Sequence, residues 1–400
     1  MPSSRGLSRL IILSSFLLLS ACGSVPKTPE PAIVAPTKPY NAQQAGTVQA
    51  VPAPTDVVPV SYLAPTPSSP FECASRLPLE KRIGQLIFPL VTPVDFLKAQ
   101  QLASIGLVGG VVVLGAPSAS IRDAIAIFQK RSLYGPGIVA VDEEGGRVQR
   151  LAKLTSRLPS ARKVARSMSL DQARRLAADH AADVGDLGFT MNLAPVADID
   201  FGRAIGDRSY GSDADTVSDF ALATAEGILD AGLVPVLKHF PGHGRGSDSH
   251  FGLPVIPSVD VLREEDLLPF AKISHRSDVP IMVGHLVVEG LTQGLPASLS
   301  REAIDGLLRG ELGFQGVVMT DAFNMDAISK TLSDAEAAEL SIAAGADLVM
   351  LSSLSDVIPA VDRVLQAVKA GRISDRSINE SFLRTMRMRS IDICQQAAFH

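Results

Sequence analysis

The sequence predicts an α/β fold, a single (β/α)8 TIM-type barrel preceded by a signal peptide and a proline-rich linker. Eight short apolar runs predict the barrel: residues 85–90, 109–114, 138–142, 190–195, 234–238, 280–284, 317–320 and 347–351. Most are rich in Val, Ile, Leu or Met without polar alternation, as in parallel strands covered on both faces. Amphipathic stretches such as 169–187, 216–231 and 333–344 separate them and supply the helices. The second observation is where the polar residues fall. Asp142, Asp198, Lys238 with His239, His285 and Asp321 all stand at or just past strand C-terminal ends, the face on which barrels of this kind build their sites. A doubly wound dinucleotide-binding sheet is the alternative, but no Gly-x-Gly-x-x-Gly follows the first strand.

The leader is read from composition. Arg5 and Arg9 precede an apolar run over residues 10–19, and Leu19-Ser20-Ala21-Cys22 follows. That tetrad resembles the lipobox of bacterial lipoproteins, which implies acylation of Cys22 and removal of the residues before it. An ordinary cleaved signal peptide is the alternative. The apolar run is too short for a comfortable transmembrane helix, so residues 1–22 are expected to end in a lipid anchor on the extracytoplasmic side of the cell membrane. Residues 23–70 are rich in Pro, Ala, Val, Thr and Ser with few charges. Such a segment favours extended conformations and no packed core, so it is read as a tether. Residues 71–400 form the barrel domain. Cys73 and Cys394 then lie at opposite ends of the domain, and the ends of a closed barrel are neighbours in space. In an oxidising compartment a disulfide between them is expected, with two free thiols as the alternative.

Composition excludes several classes of function. A net charge of −5 gives no basic face for nucleic acid. Three cysteines without zinc-ligand spacing give no metal scaffold, and no metal or organic cofactor is expected. The chain has no Trp, leaving four Tyr and fifteen Phe for any aromatic stacking on a ligand.

Three clusters carry the chemistry. Lys238-His239-Phe240-Pro241-Gly242-His243-Gly244 ends the fifth run and opens a loop that continues to Asp248-Ser249-His250. Pro241 and the glycines prevent the two histidines from sharing a helical face, although a metal site of His239, His243 and His250 remains a reading of this cluster. Asp248 and His250, two apart, can hydrogen-bond, fixing the ring tautomer and favouring the imidazolium. A histidine so held can give a proton to a leaving oxygen and later take one from water. Asp321 ends the seventh run, so its carboxylate points into the barrel mouth, where it can attack an anomeric carbon; capping the next helix is its other reading. In the stretch 142–150, Asp142 and Arg150 flank two glycines that let backbone approach a ligand. They are read as sugar-binding residues or as a buried ion pair.

Together, the stretch 141–150, the 238–244 block with Asp248-Ser249-His250, and Thr320-Asp321 resemble family 3 glycoside hydrolases, specifically bacterial β-N-acetylglucosaminidases of the NagZ type. The resemblance runs over residues 79–390. It implies that Asp321 is the nucleophile and His250, paired with Asp248, the acid/base. It also implies that Asp142, Arg150, Arg208, Lys238 and His239 bind the terminal sugar. The expected reaction is retaining, exo-acting removal of N-acetylglucosamine from peptidoglycan fragments by a monomeric, membrane-anchored enzyme. Its partners would be β-N-acetylglucosaminyl saccharides or muropeptides. A family 3 phosphorylase, a β-glucosidase and a catalytically silent sugar-binding lipoprotein are the alternatives. One departure stands out: only residues 245–247 separate Gly244 from Asp248, one fewer than is usual in this subgroup.

Overall fold

The strands form where branched and aromatic apolar residues can be covered on both sides, and all eight expected runs contain strand. A computed structural model describes residues 69–397 apart from Arg203; Cys22, the leader and residues 23–68 of the tether lie outside the described residues. The barrel strands are β1 Ile87–Val91, β2 Gly110–Val113, β3 Ile138–Val141, β4 Met191–Asn192, β5 Val234–Pro235 with Leu237–Phe240, β6 Ile281–Val283, β7 Val318–Ala322 and β8 Leu348–Leu351. Along β1, Phe88 and Leu90 face the barrel interior while Ile87 and Val91 face the helices, the period of two that any strand imposes.

All neighbouring barrel strands pair in parallel. β1 joins β8 at Ile87↔Val349 and β2 at Leu90↔Val112. At the other side, β4 meets β5 at Met191↔Val234 and β5 meets β6 at Leu237↔Ile281. The two ends of the sheet order are therefore the two halves of β5, and the barrel is nearly closed through that strand. Pro235 lacks an N–H for the ladder, and Val236 N donates instead to the carbonyls of Asn192 and Ala194.

Three of the helices between the strands show how side chains start them. Leu170–Asp186 starts behind Ser169, whose hydroxyl accepts from Gln172 N while Gln172 Oε1 accepts from Ser169 N at 2.8 Å. Ser333 and Glu336 make the same reciprocal pair before Asp334–Ala343, and Asp213 caps Ala214–Asp230. Each cap satisfies amide groups that the first turn leaves without partners.

The first described helix, Pro70–Ser75, starts behind Ser69. A disulfide joins its Cys73 to Cys394, across a sequence separation of 321 with Cα atoms 5.2 Å apart.

Candidate active site

The C-terminal strand ends surround two adjoining hollows of about 210 and 280 Å³. All eight residues singled out above (Asp142, Arg150, Arg208, Lys238, His239, Asp248, His250 and Asp321) line the first. Asp142, Arg150, Lys238, His250, Asp321 and Met325 line both. The second hollow reaches down to the apolar top of the barrel interior at Leu90, Leu193, Met282 and Met350.

After β3 the chain forms a hairpin, Glu143–Gly145 against Val148–Gln149. Its turn needs glycine: Gly145 has φ 92°, and a Cβ there would lie 2.4 Å from the Pro159 carbonyl oxygen. The alternation of this strand sends its two glutamates opposite ways. Glu143 turns into the protein, where His180 Nε2 lies 2.9 Å from its carboxylate. Glu144 turns toward the hollow and is gripped by both Lys238 Nζ at 2.7 Å and a bidentate Arg208 at 2.8 Å. Burial alone would raise the Glu144 pKa, but those two cations hold it far below the ordinary carboxylate range.

Lys238 Nζ also lies 2.8 Å from Asp142 Oδ1. Burial would lower its pKa, yet Asp142 and Glu144 hold it above the usual lysine value. Asp142 therefore pairs with Lys238 through its side chain. Its link to Arg150 is a backbone one, Arg150 N to Asp142 O at 3.2 Å. The Arg150 guanidinium is exposed and makes no hydrogen bond or ion pair among the described residues.

Asp198 sits behind the site, fully buried. Its Oδ2 lies 2.7 Å from His239 Nδ1, and its Oδ1 accepts the His243 backbone N–H at 2.7 Å. Burial opposes its ionisation, but His239 and then His243 hold its pKa low. His239 Nε2 faces Asp321 Oδ2 at 4.0 Å. The Asp321 carboxylate is buried at the end of β7, with Ala322 N donating to Oδ1 at 2.8 Å. Burial would again raise its pKa, whereas His239 and His285 lower it below the ordinary value. His285, expected among the strand-end residues, does not line either hollow. Its Nε2 donates to the Ala322 carbonyl at 3.0 Å and its Nδ1 lies 2.7 Å from Ser298 Oγ.

The loop after β5 carries the second half of the site. Gly244 is required where the chain passes Ile199, whose carbonyl oxygen would be 1.6 Å from any Cβ. Asp248 Oδ1 lies 2.8 Å from His250 Nδ1 and also accepts the His250 backbone N–H at 3.0 Å. Both side chains remain about half exposed. Burial would raise the Asp248 pKa, but its bonds from His250 hold it low. Three rings that could have shared a metal have different partners: Asp198 for His239, Ser249 for His243, and Asp248 for His250.

Sequence reading missed the roles of Glu144, Ser249 and Met325, and placed Asp198 at a strand end without its partners. The parity of the hairpin was a usable signal for Glu144, since one of two successive glutamates on a strand must face the site when the other faces in.

Comparison with known proteins agrees with this architecture. Residues 78–388 match the family described as Glycosyl hydrolase family 3 N terminal domain. Beta-hexosaminidase LpqI of Mycobacterium tuberculosis is 40% identical over 307 residues, covering 74% of this chain and 79% of that protein. A beta-hexosaminidase of Alkalilimnicola ehrlichii is 34% identical over 274 residues, covering 64% of this chain and 77% of that relative. Among solved structures, M. tuberculosis LpqI matches with a TM-score of 0.76 and 38% identity, over 82% of this chain and 99% of the other. A family 3 β-N-acetylglucosaminidase from Paenibacillus sp. matches with a TM-score of 0.73 and 34% identity, over 80% of this chain and 63% of the other. With the barrel, the mouth and the family match in agreement, the chain belongs to glycoside hydrolase family 3 and is a glycoside hydrolase.

Proposed function

We propose that the enzyme is a retaining, exo-acting β-N-acetylglucosaminidase that removes terminal N-acetylglucosamine from peptidoglycan fragments. The observation that carries this reading is a buried Asp321, its pKa held low by His239 and His285 against the effect of burial, sharing one hollow with an exposed His250 held by Asp248. Asp321 attacks the anomeric carbon while the ring N–H of His250 Nε2 passes its proton to the glycosidic oxygen. The carbon–oxygen bond to the aglycone breaks and a glycosyl ester on Asp321 forms. His250, now neutral, takes a proton from water, whose oxygen displaces the Asp321 carboxylate and leaves the sugar with its original anomeric configuration.

Asp142, Lys238, Arg208, His239 and Arg150 bind the terminal sugar in this scheme. The first three are fixed to one another or to Glu144, so they are set before substrate arrives. The Arg150 guanidinium, with no partner among the described residues, is free to bond a sugar hydroxyl. The names of the relatives, beta-hexosaminidase and β-N-acetylglucosaminidase, support the N-acetylated sugar. The Cys22 tetrad supports a lipid anchor, and among the described residues no helix is long and apolar enough to cross a membrane.

The test compares cleavage of chromogenic β-N-acetylglucosaminide and β-glucoside by the purified enzyme, with anomeric products followed by NMR. Faster cleavage of the glucoside would overturn the sugar assignment, and an inverted first product would overturn the covalent intermediate. Glycosyl phosphate formed in phosphate buffer would assign phosphorolysis in place of hydrolysis.

A further inference from the structure

Between the two half-exposed partners of the acid/base pair stands a residue that is almost fully buried: Ser249 is 4% exposed. Its side chain and backbone both reach across to the segment that follows Asp321. Ser249 Oγ donates to Met325 Sδ at 3.5 Å, and its carbonyl accepts the Ala327 N–H at 3.3 Å. His243 Nε2 lies 3.4 Å from the same hydroxyl, while His243 Nδ1 has no partner among the described residues. An Nε2–H tautomer of His243 donates to Ser249 Oγ and leaves the hydroxyl proton for Met325.

The root of this loop is held separately. Arg245 Nε donates to buried Asp266 at 2.7 Å, its Nη2 lies 2.6 Å from Glu265, and its guanidinium stacks 3.7 Å above the Phe201 ring. The loop is thus fixed at Arg245 and again at Ser249, with Asp248 and His250 on either side of the second anchor.

We propose that Ser249 is a positioning residue. It pins the acid/base loop to the nucleophile's own strand–loop segment through Met325 and Ala327, and so sets the His250 imidazole against Asp321. This rests on the roles given to His250 and Asp321 above. The carbonyl bond alone would hold the chain nearby, but only the hydroxyl bonds fix the rotation of the segment that aims the flanking imidazole. A displacement of about 1 Å at a proton donor costs up to about a hundredfold in rate, and the loss falls only on substrates whose leaving group needs that proton.

The experiment measures kcat/KM for two N-acetylglucosaminides, one with a dinitrophenyl leaving group, the other diacetylchitobiose. Ser249→Ala is expected to lose about ten- to a hundredfold on diacetylchitobiose and to stay within about threefold on the dinitrophenyl substrate. Ser249→Thr, which keeps the hydroxyl, restores most of the loss. Equal losses on both substrates, or none on either, would overturn the proposal. Met325→Leu keeps the volume and removes the sulfur acceptor, and gives the same selective pattern if Ser249→Ala fails to fold; an unselective loss there also overturns it. His250→Ala is the reference. If that variant shows no dependence on leaving group, the acid/base assignment has failed; if it does and Ser249→Ala does not, only the pin has failed.

Discussion

His239 stands between two buried carboxylates, with Nδ1 2.7 Å from Asp198 Oδ2 and its other nitrogen facing Asp321 across 4.0 Å. Asp198 is therefore the outer member of a chain that ends at Asp321, the proposed nucleophile. It also accepts the His243 backbone N–H, so a single carboxylate fixes both histidines of the 238–244 block.

Removing that carboxylate should be felt at Asp321. In Asp198→Asn, His239 loses the carboxylate that holds its ring against Asp321, and Asp321 loses part of what holds its pKa below the ordinary value. In the proposed mechanism Asp321 works as a carboxylate, so its depressed pKa keeps activity present into acid. The acidic limb of kcat/KM should accordingly move to higher pH in the variant, with the pH 7 value falling about tenfold or more. An acidic limb identical to wild type would contradict the chain of influence from Asp198.

Glu144→Gln should destabilise the fold as well as the site. The substitution leaves buried Lys238 with Asp142 as its one ionic partner among the described residues and removes the carboxylate that Arg208 grips with two bonds. Breaking a buried ion pair from one side costs about 3–5 kcal/mol. Urea unfolding at neutral pH reads the loss. A variant with wild-type stability would show that the exposed side of Arg208 compensates through water.

Asp266 provides a stability change of the opposite sign. Burial raises its pKa to about 6, despite the opposing Arg245, and one of its oxygens has no partner among the described residues. A carboxyl whose folded pKa lies above its unfolded one stabilises most in acid, and that contribution is lost as pH rises through about 6. Asp266→Asn should thus match wild type near pH 4 and gain on it between pH 5 and 8, judged by thermal melts across that range. Activity should fall at the same time, because Arg245 loses an anchor. Stability that drops further behind wild type at pH 8 than at pH 4 would refute the sign.

Reduction of Cys73–Cys394 should act on stability and leave the chemistry alone, since neither residue lines the hollows. Reductant, or Cys394→Ser, is expected to cost about 2–4 kcal/mol. Below the melting transition, kcat and KM should stay as they were. Thermal melts and steady-state assays on the same sample make the comparison.

The barrel was legible because its signals are local. Apolar runs, Ser169, Asp213 and Ser333 at helix starts, and polar strand ends are each written within a few residues. The positions that line the mouth were legible for the same reason. What the sequence could not reveal is which side chain meets which. Asp142 and Arg150 share one short segment, yet the side chain of Asp142 pairs with Lys238, 96 residues away, because β3 and β5 end at the same rim of the barrel. Ser249 reads as a spacer between two reactive residues. Its burial exists only once the loop lies against Met325, a contact spanning 76 residues. His285 shows the converse: a strand-end position does not fix the direction of the side chain, and this ring braces Ala322 from behind.

The bridge between helices at the two ends of the domain also changes what a protease can accomplish. A single cut anywhere between Cys73 and Cys394 opens the polypeptide but separates nothing, because both pieces remain covalently joined. If Cys22 carries the anchor proposed above, a nicked enzyme stays at the membrane with both fragments attached. Shedding would require either a cut in the tether or a reductant acting together with the protease.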